Sequence, residues 1–241
     1  MKISVIVPAF NEERLLAETL AQINQARVVL GPAGFTSELI VCDNNSTDRT
    51  AEIARAAGAT VVFEPVNQIG RARNCGAASA SGDWLLFIDA DSHPRPELFA
   101  DVAANIRAGR CLAGGCVIRL EGNHRIAQFL TRGWNWISRQ RRLLAGSFIF
   151  VEAAAFREIG GFSAEFFTGE ELDLSQRLKR LARKTGRDMV ILHQHPLLTS
   201  DRKVRLYSTM ELMGFMVRAL LRPKRVMKDK AACYAWYDGR R

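Results

Sequence analysis

Asp83-Trp84-Leu85-Leu86-Phe87-Ile88-Asp89-Ala90-Asp91 is the stretch on which the fold turns. Five apolar residues run unbroken into two carboxylates separated by one small residue. An apolar run of that length reads as a strand buried on both faces, as in a parallel sheet. Ligands in open α/β folds collect at the carboxyl ends of such strands. Alternate residues of an extended chain point the same way, so Asp89 and Asp91 can share one hard cation that neutralises phosphate oxygens. A turn whose acids only cap the helix after Asp91-Ser92-His93-Pro94 satisfies the same residues, and the stretch alone does not separate the two.

Upstream, strand and helix alternate. Ile3–Val7 is apolar and β-branched, and Glu13–Ala26 sets Leu15, Leu16, Thr19, Leu20 and Ile23 on one helical face. Leu39–Cys42 is a second buried strand ending at Asp43, followed by capping residues Ser46-Thr47-Asp48 and a helix through Ala57, closed by Gly58. Thr60–Phe63 predicts a third strand, Gly70–Ser81 a helix stopped by Gly82, and Pro96–Ala108 a helix with proline in its first turn. Strand then helix, four times over, predicts an α/β fold with a doubly wound, mostly parallel sheet flanked by helices.

Downstream the pattern is less regular. Strands are expected at Leu112–Ile118, Ser147–Val151 and Met189–Leu192, and helices at Ile126–Leu144, Ala153–Ile159, Glu171–Lys184 and Val204–Leu221. The simplest organisation is one domain over residues 1–203 with a basic C-terminal helical extension over 204–241.

A hydrophobic content of 48% against 24% charged residues excludes wholesale disorder. No segment reaches the roughly 18 unbroken apolar residues of a spanning helix, and the apolar N-terminal run is too short for a signal core. Five scattered cysteines read as reduced core thiols, which sets the expectation of a cytoplasmic protein. The net charge of +9 is concentrated: residues 202–230 carry nine Lys/Arg against two acids, and residues 119–142 carry six Arg against one. Such clusters point to a polyanionic partner, here a phosphorylated substrate or an anionic membrane surface reached through residues 202–230. Neither matches a nucleic-acid motif, so no nucleic acid is expected.

Three further motifs stand at predicted strand ends. They are Pro8-Ala9-Phe10-Asn11-Glu12, Asp43-Asn44-Asn45-Ser46-Thr47-Asp48, and Gly70-Arg71-Ala72-Arg73-Asn74-Cys75-Gly76 opening the intervening helix. With Asp89-Ala90-Asp91, this ordered set resembles the family 2 glycosyltransferases and their GT-A fold. Gly146–Val151, Phe156–Phe162 and Gly169-Glu170-Glu171-Leu172-Asp173 are similar to that family's acceptor-side segments. The resemblance runs over residues 3 to about 203.

That resemblance implies metal-dependent, inverting transfer of a sugar from a nucleotide donor to an unidentified acceptor hydroxyl. Residues 1–118 would form the donor half and 119–203 the acceptor and catalytic half. Pro8, Phe10, Glu12, Asp43, Arg73, Asp89 and Ala90 are expected around the donor, with Arg202 and Lys203 closing over its diphosphate. Asp91, with Asp89 and His195, is expected to hold Mn2+ or Mg2+; His193 and His93 are alternatives to His195. Glu170-Glu171 occupies the family's catalytic acid position, and Glu171 stands where the family usually has Asp. The Gln-x-x-Arg-Trp motif of processive members is absent, which implies addition of a single sugar.

Two other readings compete. Asp89-Ala90-Asp91-Ser92 also resembles the nucleophile motif of haloacid-dehalogenase-like phosphatases, but no downstream Gly-Asp-x-x-x-Asp follows it. A non-catalytic basic protein that binds membrane or nucleic acid leaves the paired acids unexplained. Trp134 and Trp136, set among arginines, suit either an acceptor sugar face or a lipid interface.

Overall fold

The computed structural model describes residues 1–122, 125–201, 226–229 and 232–233. Arg202, Lys203 and the expected helix Val204–Leu221 lie outside the described residues. The elements in order are β1 (Lys2–Ala9), α1 (Leu16–Arg27), β2 (Thr36–Asp43), α2 (Thr50–Ala56), β3 (Thr60–Phe63), α3 (Ile69–Ala78), β4 (Trp84–Ile88) and β5 (Ser92–His93). They continue through α4 (Pro96–Arg107), β6 (Cys111–Leu120), α5 (Arg125–Arg141), β7 (Phe148–Glu152), α6 (Ala153–Glu158), α7 (Glu170–Thr185) and β8 (Asp188–Thr199). A short 3₁₀ turn over Val28–Leu30 follows α1.

One eight-stranded sheet runs in the order β3-β2-β1-β4-β7-β6-β8-β5. β1, β2, β3 and β4 are mutually parallel, as the alternating pattern predicts. β7 is inserted antiparallel between β4 and β6, while β8 runs parallel to β6. β7 returns to the centre of the sheet from a later part of the chain, which no local periodicity announces.

Alternation along the central strands divides the core between two faces. Ile3, Val5 and Val7 of β1 with Leu86 and Ile88 of β4 pack beneath α1 and α4. Ile6, Leu85 and Phe87 face the other way, against α6 and α7. Phe87 meets Phe162 edge-on at 5.2 Å and Phe156 at 5.3 Å, an aromatic cluster whose truncation at Phe87 would cost about 3–5 kcal/mol. α3 lies close on the sheet because Gly76 has no side chain: a Cβ there would come within 2.5 Å of Ile6 Cγ2.

Element ends differ from the sequence expectation where side chains or glycines intervene. α1 begins at Leu16 rather than Glu13 because Asn11 takes a left-handed φ of 52° and the chain turns before the helix. β8 extends to Thr199, well past the expected end at Leu192. Between Leu192 and Leu197 it bulges outward, since these residues pair with Cys116 and Ile118, only two apart on β6.

Candidate active site

The carboxyl ends of β1, β2 and β4 form one rim. Ala9 pairs with Asp43, and the Asn44 amide donates to the Ala9 carbonyl at 2.8 Å. Pro8 pairs with Cys42 one step inside the sheet. The loops beyond are knitted together: the Asn11 amide donates to Ser46 Oγ at 3.0 Å, and Thr47 N donates to Asn11 Oδ1 at 2.8 Å. Asn11 and Asn45 both take left-handed backbone conformations, which Asn tolerates better than most residues. Asp43 is buried and its Oδ1 accepts the Ser46 amide at 3.0 Å. Glu12 is buried as well, its amide donating to Thr50 Oγ1 at 2.8 Å. Phe10, between them, is half-buried at the rim.

Asp89-Ala90-Asp91 leaves β4 under tight control. The Ala90 carbonyl accepts the buried Thr19 hydroxyl of α1 at 2.8 Å, and the Asp91 carbonyl accepts the Ser200 amide at 3.1 Å. The Asp89 amide donates to the Ser147 carbonyl at 3.3 Å. The acids are thus fixed at the backbone from three directions.

Arg73 joins this strand end to α7. Only 1% exposed, it donates from Nη1 to Glu170 Oε1 at 2.6 Å, and from Nη2 to Asp89 Oδ1 at 2.8 Å and the Gly146 carbonyl at 2.9 Å. Its guanidinium lies 5.2 Å from the centre of the Phe162 ring. The sequence reading faces Arg73 toward the donor phosphates. The structure encloses it, because two carboxylates and a carbonyl take its terminal nitrogens. Burial alone would lower its pKa, but Asp89, Glu170 and Glu171 outweigh that and raise it. The guanidinium is held charged.

Glu170 and Glu171 open α7, where exposed amides and the helix dipole favour negative charge. Gly169, at a left-handed φ of 71°, makes the turn into the helix. The Glu171 carboxyl has Gly146 close at hand: a Cβ on that glycine would lie 3.6 Å from Glu171 Cδ. Loss of solvation and the charge of Glu170 push the Glu171 carboxyl up to about 8, with Arg73 pulling the other way. Arg73 pairs with two of the three acids, Asp89 and Glu170, and Glu171 is the one whose pKa is raised.

That surplus of carboxylate decides how the region suits a metal. Among the described residues no three His, Cys, Asp or Glu side chains gather as a metal cage. A hard cation that keeps water and phosphate ligands needs only one or two protein carboxylates, and Asp89 and Asp91 fit that pattern. His195 is placed elsewhere. It sits in the β8 bulge with Nδ1 2.9 Å from Asp101 Oδ2 of α4, so the bulge turns it to a carboxylate other than the strand-end pair. His93 Nδ1 is likewise 2.8 Å from Glu121 Oε1.

Several supporting residues escape sequence reasoning. Asn74 clamps Phe162 from both sides, donating to its carbonyl at 2.8 Å and accepting its amide at 2.9 Å. Gln68 Nε2 donates to the carbonyls of Ala164 and Phe166 at 2.7 and 2.8 Å. Met227 closes the same loop: its carbonyl accepts the Phe167 amide at 2.8 Å, and its Sδ would lie 3.0 Å from a Cβ on Gly169. Their only sequence signal is polar or soft residues beside a motif, which does not identify partners so far along the chain.

The sequence model for glycosyl transferase family 2 matches residues 4–158. A glycosyltransferase of Mycobacterium tuberculosis strain H37Rv, Rv0539, is 33% identical over 137 residues, covering 57% of this chain and 54% of that protein. The chain therefore spans about half the length of this curated relative. Among solved structures, Staphylococcus aureus TarS 1-349 in complex with UDP-GlcNAc superposes with a TM-score of 0.66 at 20% identity, covering 98% of this chain and 69% of that one. The mannosyltransferase PcManGT from Pyrobaculum calidifontis, in complex with GDP-Man and Mn2+, gives 0.68 at 19% identity, covering 94% and 62%. At such identities the likeness is one of fold.

Proposed function

The chain belongs to glycosyl transferase family 2, and from that membership we propose that it moves one sugar from a nucleotide-sugar donor to an acceptor hydroxyl with inversion at the anomeric carbon. Residues 1–118 hold the donor and residues 119–203 present the acceptor and the base. The observation that carries this reading is Arg73 binding Asp89 and Glu170 together, so that the strand-end acids and the first turn of α7 share one site.

In this mechanism Asp43 and the rim of Pro8, Phe10 and Glu12 hold the nucleoside. Asp91, with Asp89, would hold a Mn2+ or Mg2+ ion, which would offset the charge of the leaving diphosphate. Glu171 takes the acceptor proton as the new bond to the anomeric carbon forms and the bond to the diphosphate oxygen breaks. A carboxyl pushed up to about 8 is a better matched base for an alcohol than an ordinary carboxylate. Arg73 is a positioning residue: its ion pairs hold Asp89 and Glu170 in place.

The phosphatase alternative lacks the downstream Gly-Asp-x-x-x-Asp motif that its metal chemistry needs. The neighbours' ligands make UDP- and GDP-sugars the first donors to try. Incubation with a panel of nucleotide sugars, with Mn2+ or chelator, should release nucleoside diphosphate from one donor only with metal. Release of inorganic phosphate from simple esters instead would overturn the transferase reading. Contact of residues 202–230 with an anionic membrane belongs to this proposal and rests on charge alone. Among the described residues no helix is long and apolar enough to cross a membrane.

A further inference from the structure

α5 is amphipathic the wrong way round for a helix serving only the core. Its inner side is polar or small: Ala127 and Ser138 are buried, and Asn135 donates to the Ile118 carbonyl at 2.8 Å while accepting the Ile118 amide at 3.0 Å. Its outer side carries Ile126, Phe129, Leu130, Trp136 and Ile137, all exposed, with Phe129 at 74% and Trp136 at 66%. At 3.6 residues per turn these five fall on one stripe, opposite the docked side and about 17 Å long. Scattered exposed apolar residues need no account, but a contiguous stripe of large ones marks an interaction surface.

The charge along the stripe selects the occupant. α5 holds no acidic residue, and Arg125, Arg132 and Arg139 line one margin with Arg141 on the other, all exposed. Residues 202–225 of this chain are apolar enough to cover the stripe, but they carry seven Lys/Arg against Glu211 alone. Like charge opposes that pairing, and it also opposes a second copy meeting the same stripe face to face. Apolar side chains flanked by exposed arginines, with no acid among them, are the composition of a helix lying flat in the headgroup region of an anionic bilayer. We propose that α5 is a membrane-interface helix that seats this face of the protein on anionic lipid. The proposal rests on residues 125–141 alone and stands independently of the transfer reaction.

The test is partition of the full chain onto sedimented vesicles of phosphatidylcholine with and without phosphatidylglycerol. Binding is expected only with phosphatidylglycerol. Phe129→Glu with Trp136→Glu should weaken it about tenfold or more, and Arg132→Glu should weaken it by a smaller factor and make it more sensitive to salt. Phe63→Glu, an exposed apolar site on β3, is the control and should bind as the parent does. Phe129→Ser with Trp136→Ser repeats the test without adding charge, and circular dichroism checks that each variant is folded. Absence of binding by the parent chain, or full binding by both stripe variants, overturns the proposal. So does concentration-dependent dimerisation abolished by the stripe variants without any lipid binding.

Discussion

Arg73 Nη1 and Glu170 Oε1 meet at 2.6 Å across ninety-seven residues of sequence, with both side chains almost fully buried. The contact ties α3, which follows β1, β2 and β3, to the helix that carries the proposed base.

Arg73→Ala removes the cation from between two acids and leaves buried charge uncompensated. Breaking such a pair costs about 3–5 kcal/mol, so the denaturation midpoint should fall sharply. A loss under about 1 kcal/mol would mean that water replaces the guanidinium.

Glu171 sets a pH profile. With its pKa raised to about 8, the base form is scarce near neutrality, and kcat/KM should climb as pH rises through about 8. Stability moves the opposite way: the raised pKa contributes stability fully below the ordinary carboxylate range, and it is lost as pH rises through 8. Glu171→Gln should lower kcat by about 10²–10⁴-fold and flatten the profile with donor affinity kept. If Glu170→Gln alone is inactive, the base is one residue earlier.

Asp91→Asn should abolish metal-stimulated turnover in a folded protein. Asp43→Ala should weaken nucleoside-diphosphate binding by about 1.5–3 kcal/mol, as loss of a charge-assisted hydrogen bond does. Nucleoside-diphosphate release with and without Mn2+ reads the first and titration calorimetry the second, where unchanged affinity would place Asp43 outside the donor pocket.

Far from the site, Glu38 takes Lys2 Nζ at 2.7 Å, Ser4 Oγ at 2.5 Å and the Ser81 amide at 2.8 Å. Burial opposes its charge, but these donors prevail and lower its pKa to about 2. The folded pKa lies below the unfolded one, so the stability is present above about 4.5 and drains away as pH falls toward 2. Glu38→Gln should cost at most about 3 kcal/mol at neutral pH and flatten acid denaturation in that window.

The first half of the fold was legible because parallel strands buried on both faces appear as apolar runs such as Leu85–Ile88, bounded by caps and glycines that local sequence displays. The start of α7 at Glu170, after Gly169, was legible for a similar reason. What escaped is non-local. The insertion of β7 beside β4, the return of β8 past its bulge to pair with β5, and the enclosure of Arg73 depend on partners dozens of residues away. Arg73 reads as a phosphate contact because an arginine in a loop-to-helix motif looks the same whether its partner is ligand or protein.

Met227, bonded to Phe167 and seated on Gly169, gives the chain a mechanical order unlike its sequence order. Its turn is a clasp on the hinge from which Glu170 and Glu171 are launched. Trimming the polypeptide at residue 203, where composition suggests a natural seam, takes that clasp away and acts on the start of α7 itself. A fusion that pulls on residues 226–229 would act through the same fastening, at a distance in sequence that gives no warning of it.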